Sequence, residues 1–152
     1  MTPFDNLKAH VYGLLSALHE LPPKFPLVQQ RSPTLAADAD WQEIQCWSNE
    51  LSATVDNTLA EVYRRIALHA DAIIQLTDDE NILAPVRKLG SLTTDEIRDL
   101  RNAAAEIGAV SDIPGIMRWR LKWLLGGFFI RLRRNQIVSA TAELEKHVRR
   151  AA

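Results

Sequence analysis

Between positions 41 and 76 the chain contains neither glycine nor proline. Apolar residues recur there at steps of three and four: Ile44, Trp47, Leu51, Val55, Leu59, Val62, Ile66, Ile73 and Leu76. That spacing sets one stripe along one side of a helix, and no residue inside it forces a stop. At 1.5 Å per residue a helix over 41–76 is about 54 Å long. A compact domain of 152 residues seldom holds so long a rod, so the pattern predicts an elongated body or a helix that bends. Asp40, with Glu43 three residues on, reads as its N-terminal cap.

Similar signals mark the neighbouring elements. Thr2-Pro3-Phe4-Asp5 is a capping box with proline at the first helical position, and Phe4, Leu7, Val11, Leu14 and Leu18 follow at helical spacing. This predicts a helix over 3–20, stopped by Pro22 and Pro23. Residues 21–39 hold four prolines and read as an irregular strap. Thr77-Asp78-Asp79-Glu80 predicts a short helix ending at Gly90, and Thr93-Thr94-Asp95-Glu96 opens another that runs to Gly108. Ser111 or Asp112 then caps a last helix over about 113–150. No segment alternates as a strand would. The expected fold is all-α, one domain over 1–152: an elongated helical bundle on two long helices (about 41–76 and 113–150), with three shorter helices and the proline-rich strap.

The last helix has two apolar stripes. On a wheel, Met117, Leu121, Leu124, Leu125, Phe128 and Leu132 fall on one side. Trp119, Trp123, Gly126, Ile130 and Ile137 fall on nearly the opposite side, continuing through Leu144 and Val148. Basic ridges run between them: Arg118, Lys122 and Arg133 on one flank, Arg120, Arg131 and Arg134 on the other. A surface helix needs one apolar stripe, so two imply two packing partners. Tryptophan and arginine are enriched among interface hot spots, which assigns Trp119, Trp123, Ile130 and Ile137 to a protein partner, most simply a second copy. Gly126-Gly127 lies in the middle of the segment. Such a pair marks a close backbone approach or a break.

Charge is unevenly distributed. Residues 38–112 carry six basic and fifteen acidic groups, whereas residues 113–152 carry nine basic and two acidic ones. The simplest expectation is that the basic C-terminal helix packs beside the acidic middle and the fields cancel. A second is that Arg118, Arg120, Lys122, Arg131, Arg133 and Arg134 face an acidic ligand such as nucleic acid. The net charge of −1 counts against a dedicated nucleic-acid binder. An interfacial membrane helix would show one apolar and one charged face, which this alternating segment does not. The longest apolar run, 121–130, is half of a membrane span and contains Lys122. Asp5, Lys8, His10 and Glu20 interrupt any apolar leader, and there is one cysteine, Cys46. Together these point to a soluble, cytoplasmic protein.

The residues show no catalytic motif, metal-ligand spacing or cofactor loop. His10 and His19 are nine residues apart and face opposite sides of their helix. His69 lies in the apolar stripe of 41–76 with no second ligand at metal spacing, and reads as a core histidine. Cys46 has acidic neighbours at helical spacing, which disfavours a thiolate nucleophile. Arg64-Arg65-Ile66-Ala67-Leu68-His69 resembles the Arg-x4-His motif of HEPN-domain ribonucleases, which are α-helical and dimeric. That resemblance implies an RNA-cleaving site at Arg64 and His69. It covers six residues, and Arg65 stands where that motif carries a polar residue. On a regular helix Arg64 and His69 are about 140° apart. The reading the residues favour is a non-enzymatic helical interaction module, an adaptor or complex subunit that self-associates through its C-terminal helix.

Overall fold

The computed structural model describes residues 2–22 and 41–151. The expected strap and the Asp40 cap therefore lie almost wholly outside the described residues. Helix α1 spans Pro3–His19. Its start is the expected reciprocal cap: Thr2 Oγ1 accepts from the Asp5 backbone N–H, and Asp5 Oδ2 accepts from that of Thr2.

Positions 41–76 are helical throughout, with a change of pitch in the middle. Helix α2 (Trp41–Ala53) and helix α3 (Ala60–Leu76) are joined by a π-helical segment, Thr54–Leu59. The Ala60 N–H donates to the Val55 carbonyl, five residues back. Leu51, Val55 and Leu59 are spaced by four and all buried. On an α-helix each such step drifts about 40° around the axis. The wider π turn takes up that drift and returns the stripe to the core at Val62 and Ile66.

Helix α4 corrects the two-helix expectation: it is a single element, Glu80–Gly108. Asp79, rather than Thr77, is its cap, accepting from the Asn81 N–H at 3.0 Å. Pro85 is accommodated inside the helix and buried, and Gly90 does not stop it. Thr93 and Thr94 turn their hydroxyls back onto the carbonyls of Leu89 and Gly90, each at 2.7 Å, instead of capping a new helix. The apolar face runs on across the expected break, through Val86, Leu89, Ile97, Leu100 and Ile107. Continuous burial of that face outweighs one unfavourable glycine.

The last rod is also not one element. Helix α5 (Ile113–Leu125) and helix α6 (Gly127–Ala151) meet at Gly126. Backbone hydrogen bonds still bridge the junction, from Gly126 to Lys122 and from Ile130 to Gly126. Asp112 caps α5 through the Gly115 N–H at 2.6 Å.

The fold is all-α, with no strand among the described residues. Helix α1 lies along α3, α3 along α4, and α4 along α6, while α2 and α5 pack on α4. Helix α4 is thus the centre of the bundle. Leu14, Leu51, Ile66, Ile73, Leu89, Leu100 and Leu144 fill the interior.

Candidate functional site: the two faces of the C-terminal helices

The stripe that the sequence assigned to a partner is the one the chain buries. Trp119 is 7% exposed, and Ile130 and Ile137 are equally enclosed. The Trp119 indole donates to the Ala103 carbonyl at 3.0 Å. It meets Trp47 edge-on, ring centres 5.5 Å apart at 85°. Trp123 packs at the edge of the core, its indole donating to Glu106 at 3.3 Å. These four residues hold α5 and α6 onto α4, and that corrects their assignment to a docking face.

Of the opposite stripe, Met117 is 58% exposed, Leu121 57% and Leu132 45%; Leu124, Leu125 and Phe128 lie outside the described side chains. Phe129, which the sequence did not place in that stripe, is 70% exposed. Met117 and Leu121 stand one turn apart on α5, and Phe129 and Leu132 continue along the first turns of α6. Leaving large apolar side chains such as Met117, Leu121 and Leu132 exposed forgoes roughly 1.5–3 kcal/mol for each that could be fully buried.

The basic ridges divide in the same way. Lys122 pairs with Glu106 at 2.7 Å, Arg133 with Asp99 at 2.5 Å and Arg134 with Glu96 at 2.7 Å. Half of the six proposed anion-binding residues are therefore engaged by α4, as field cancellation between the acidic middle and the basic end requires. Arg118 and Arg131 are exposed.

Beneath this surface lies a buried charged cluster that sequence periodicity concealed. Glu96 is 1% exposed, on the core face of α4. Its carboxylate accepts a short hydrogen bond from the Tyr63 hydroxyl on α3 and faces Arg134 of α6. Burial pushes the Glu96 carboxyl above its ordinary range, against the pull of Arg134. Burial also raises the Tyr63 phenol, and the adjacent Glu96 charge adds to that rise. Glu96 stood in the sequence as the fourth residue of an apparent capping box, which explained its charge without invoking the interior.

No known protein family, curated protein or solved structure matches this chain.

The Arg64/His69 pairing implied by the HEPN resemblance does not assemble. Arg64 is bidentate to Glu61, at 3.0 and 2.6 Å. His69 instead meets His10 of α1, Nδ1 to Nδ1 at 3.1 Å. The expectation of a solitary core histidine is thereby corrected: its partner is 59 positions away, on another helix, where no motif spacing could reveal it. His19, on the far side of α1 as expected, pairs with Glu145 of α6 at 2.8 Å. Among the described residues no three His, Cys, Asp or Glu side chains converge as metal ligands, and no helix is long and apolar enough to cross a membrane. Cys46 is exposed and unbridged.

Proposed function

We propose that this protein is a non-enzymatic interaction module whose docking face is the outward stripe of α5 and α6. The carrying observation is the row Met117, Leu121, Phe129 and Leu132, exposed while the opposite stripe is enclosed. Arg118, Arg120 and Arg131 lie beside that row. An apolar seam rimmed by arginines suits an amphipathic helix of a partner protein, its apolar side in the seam and acidic residues on its flanks.

Charge favours such a partner over a second copy. Residues 113–142 contain no aspartate or glutamate. A two-fold pairing centred near Gly126 would set arginine against arginine along both rims, and like charges across an interface are unfavourable. The nucleic-acid reading has less support, because Lys122, Arg133 and Arg134 are already engaged by α4.

Two synthetic helical peptides with the same leucine stripe test the reading, one flanked by glutamate and one by lysine. The glutamate peptide is expected to bind, more weakly as salt rises, and to lose binding to Leu121→Asp and to Phe129→Asp. Equal binding of both peptides, or binding of neither, overturns the proposal. Light scattering that finds a micromolar dimer dissolved by Phe129→Asp would assign the seam to a second copy and overturn the acidic partner.

A further inference from the structure

The contact between α1 and α3 contains an unusual polar device. His10 and His69 approach Nδ1 to Nδ1 at 3.1 Å, and both rings are only partly exposed. Their ring centres are 5.3 Å apart. That is about the nitrogen–nitrogen distance plus the two ring radii, so the nitrogens point at one another head-on. Two imidazoles converging on a common metal ion would tilt their nitrogens towards a third point and bring the ring centres closer. The geometry is that of one proton held between two nitrogens, which requires one Nδ1 to donate and the other to accept.

A second observation shows that α1 is shaped for this contact. Gly13 lies one turn after His10, in the interior of α1. A Cβ there would lie 2.6 Å from His69 Cε1 and 2.7 Å from its Nε2. Glycine inside a helix is unfavourable, yet at this position it alone leaves room for the His69 ring.

We propose that His10 and His69, seated on Gly13, form a proton-sharing latch between α1 and α3 that holds near neutral pH and opens on mild acidification. With one proton between them the two nitrogens attract. With a proton on each, both are donors, the hydrogen bond is lost and two cations face each other. Among the described residues, the charged group that adds to this repulsion is Arg65, one turn before His69 on α3. Arg65 is itself held by Glu20 at 2.6 and 2.9 Å. On α1, Lys8 lies over the Tyr12 ring. From α6, Glu145 reaches the far end of α1 at His19.

The sign follows from linkage. Burial, His10 and Arg65 lower the His69 imidazole below its ordinary value. The unfolded chain therefore takes up this proton at a higher pH than the folded chain. The latch's contribution is complete above about pH 6.5, the unperturbed histidine value, and is lost as pH falls through the lowered one. Glu96 works the other way. Its raised carboxyl makes folding less costly on acidification, so it cannot mimic the effect. The apolar contacts of Val11, Leu14 and Leu18 remain, so acid loosens α1 rather than releasing it.

A double-mutant cycle isolates the pair from every other titrating group. Melting temperatures of wild type, His10→Ala, His69→Ala and the double variant are measured at pH 7.5 and 5.0. The coupling at pH 7.5 is expected to be stabilising, on the order of 2–4 °C, and to be smaller at pH 5.0, as protonation of both rings makes each Nδ1 a donor. The same coupling at both pH values, or none at pH 7.5, overturns the proposal. Should His69→Ala fail to fold, NMR titration of the wild-type imidazoles decides. The His69 imidazole is expected to titrate below the ordinary histidine value. Titration of His69 at the unfolded-chain value overturns it.

Discussion

Trp119→Ala is the most informative single substitution, because it tests which stripe of the C-terminal helices belongs to the interior. Trp119 is 7% exposed, lies edge-on to Trp47 and donates its indole N–H to the Ala103 carbonyl. Truncating a buried tryptophan to alanine removes its transfer energy and leaves a cavity, together about 3–5 kcal/mol. A chain of this length shifts by roughly 2–4 °C in Tm per kcal/mol, so a loss of about 6–20 °C is expected. Phe129→Ala is the matched control. That ring is 70% exposed, and truncating it removes little buried apolar area, so its cost is expected to stay well below that of Trp119→Ala. Trp119→Phe separates packing from hydrogen bonding. It keeps an aromatic ring, loses the donor, and is expected to cost about 0.5–1.5 kcal/mol for the bond. Urea unfolding followed by far-ultraviolet circular dichroism, with light scattering to fix the oligomeric state, measures all three. If Trp119→Ala costs under 1 kcal/mol while Phe129→Ala costs more, the two stripes have been assigned to the wrong sides.

Three further outcomes are expected. Glu96→Ala leaves Arg134 buried without its carboxylate and removes the acceptor of the Tyr63 hydroxyl; loss of one partner of a buried pair costs about 3–5 kcal/mol, read by chemical denaturation. Gly126→Ala is expected to stabilise by up to about 1 kcal/mol, because its Cβ would meet only carbonyl oxygens at 3.4 and 3.8 Å, ordinary contact distances; a lower Tm than wild type would show that the junction needs glycine. Gly13→Ala improves helix propensity by about 1 kcal/mol but drives a methyl group into the His69 ring, so a net loss of stability at pH 7.5 that shrinks at pH 5.0 is expected in thermal melts.

Much of the outline was legible because local rules act over a few residues. The Thr2–Asp5 cap, the all-helical class and the uninterrupted run over 41–76 each follow from spacings within one or two turns. The same locality misled at 90–96. Glycine followed by Thr93-Thr94-Asp95-Glu96 has the composition of a helix stop and start, but burial of a continuous face kept α4 whole and turned the threonine hydroxyls inward. It misled again in the docking face. A helical wheel finds two apolar stripes on α5 and α6 but cannot rank them, since Trp119 and Leu121 are both simply apolar.

What the amino-acid order determined by itself is therefore the helical class, the Thr2 and Asp112 caps, the presence of two greasy stripes and the opposition between an acidic middle and a basic end. Only the packed structure decided that the tryptophan stripe faces inward, that Arg133 and Arg134 are engaged by Asp99 and Glu96, and that His10 finds His69. The physical reason is range. Periodicity and capping are settled between neighbours three or four residues apart, whereas the side a stripe faces and the partner a charge meets depend on helices brought together from distant parts of the chain.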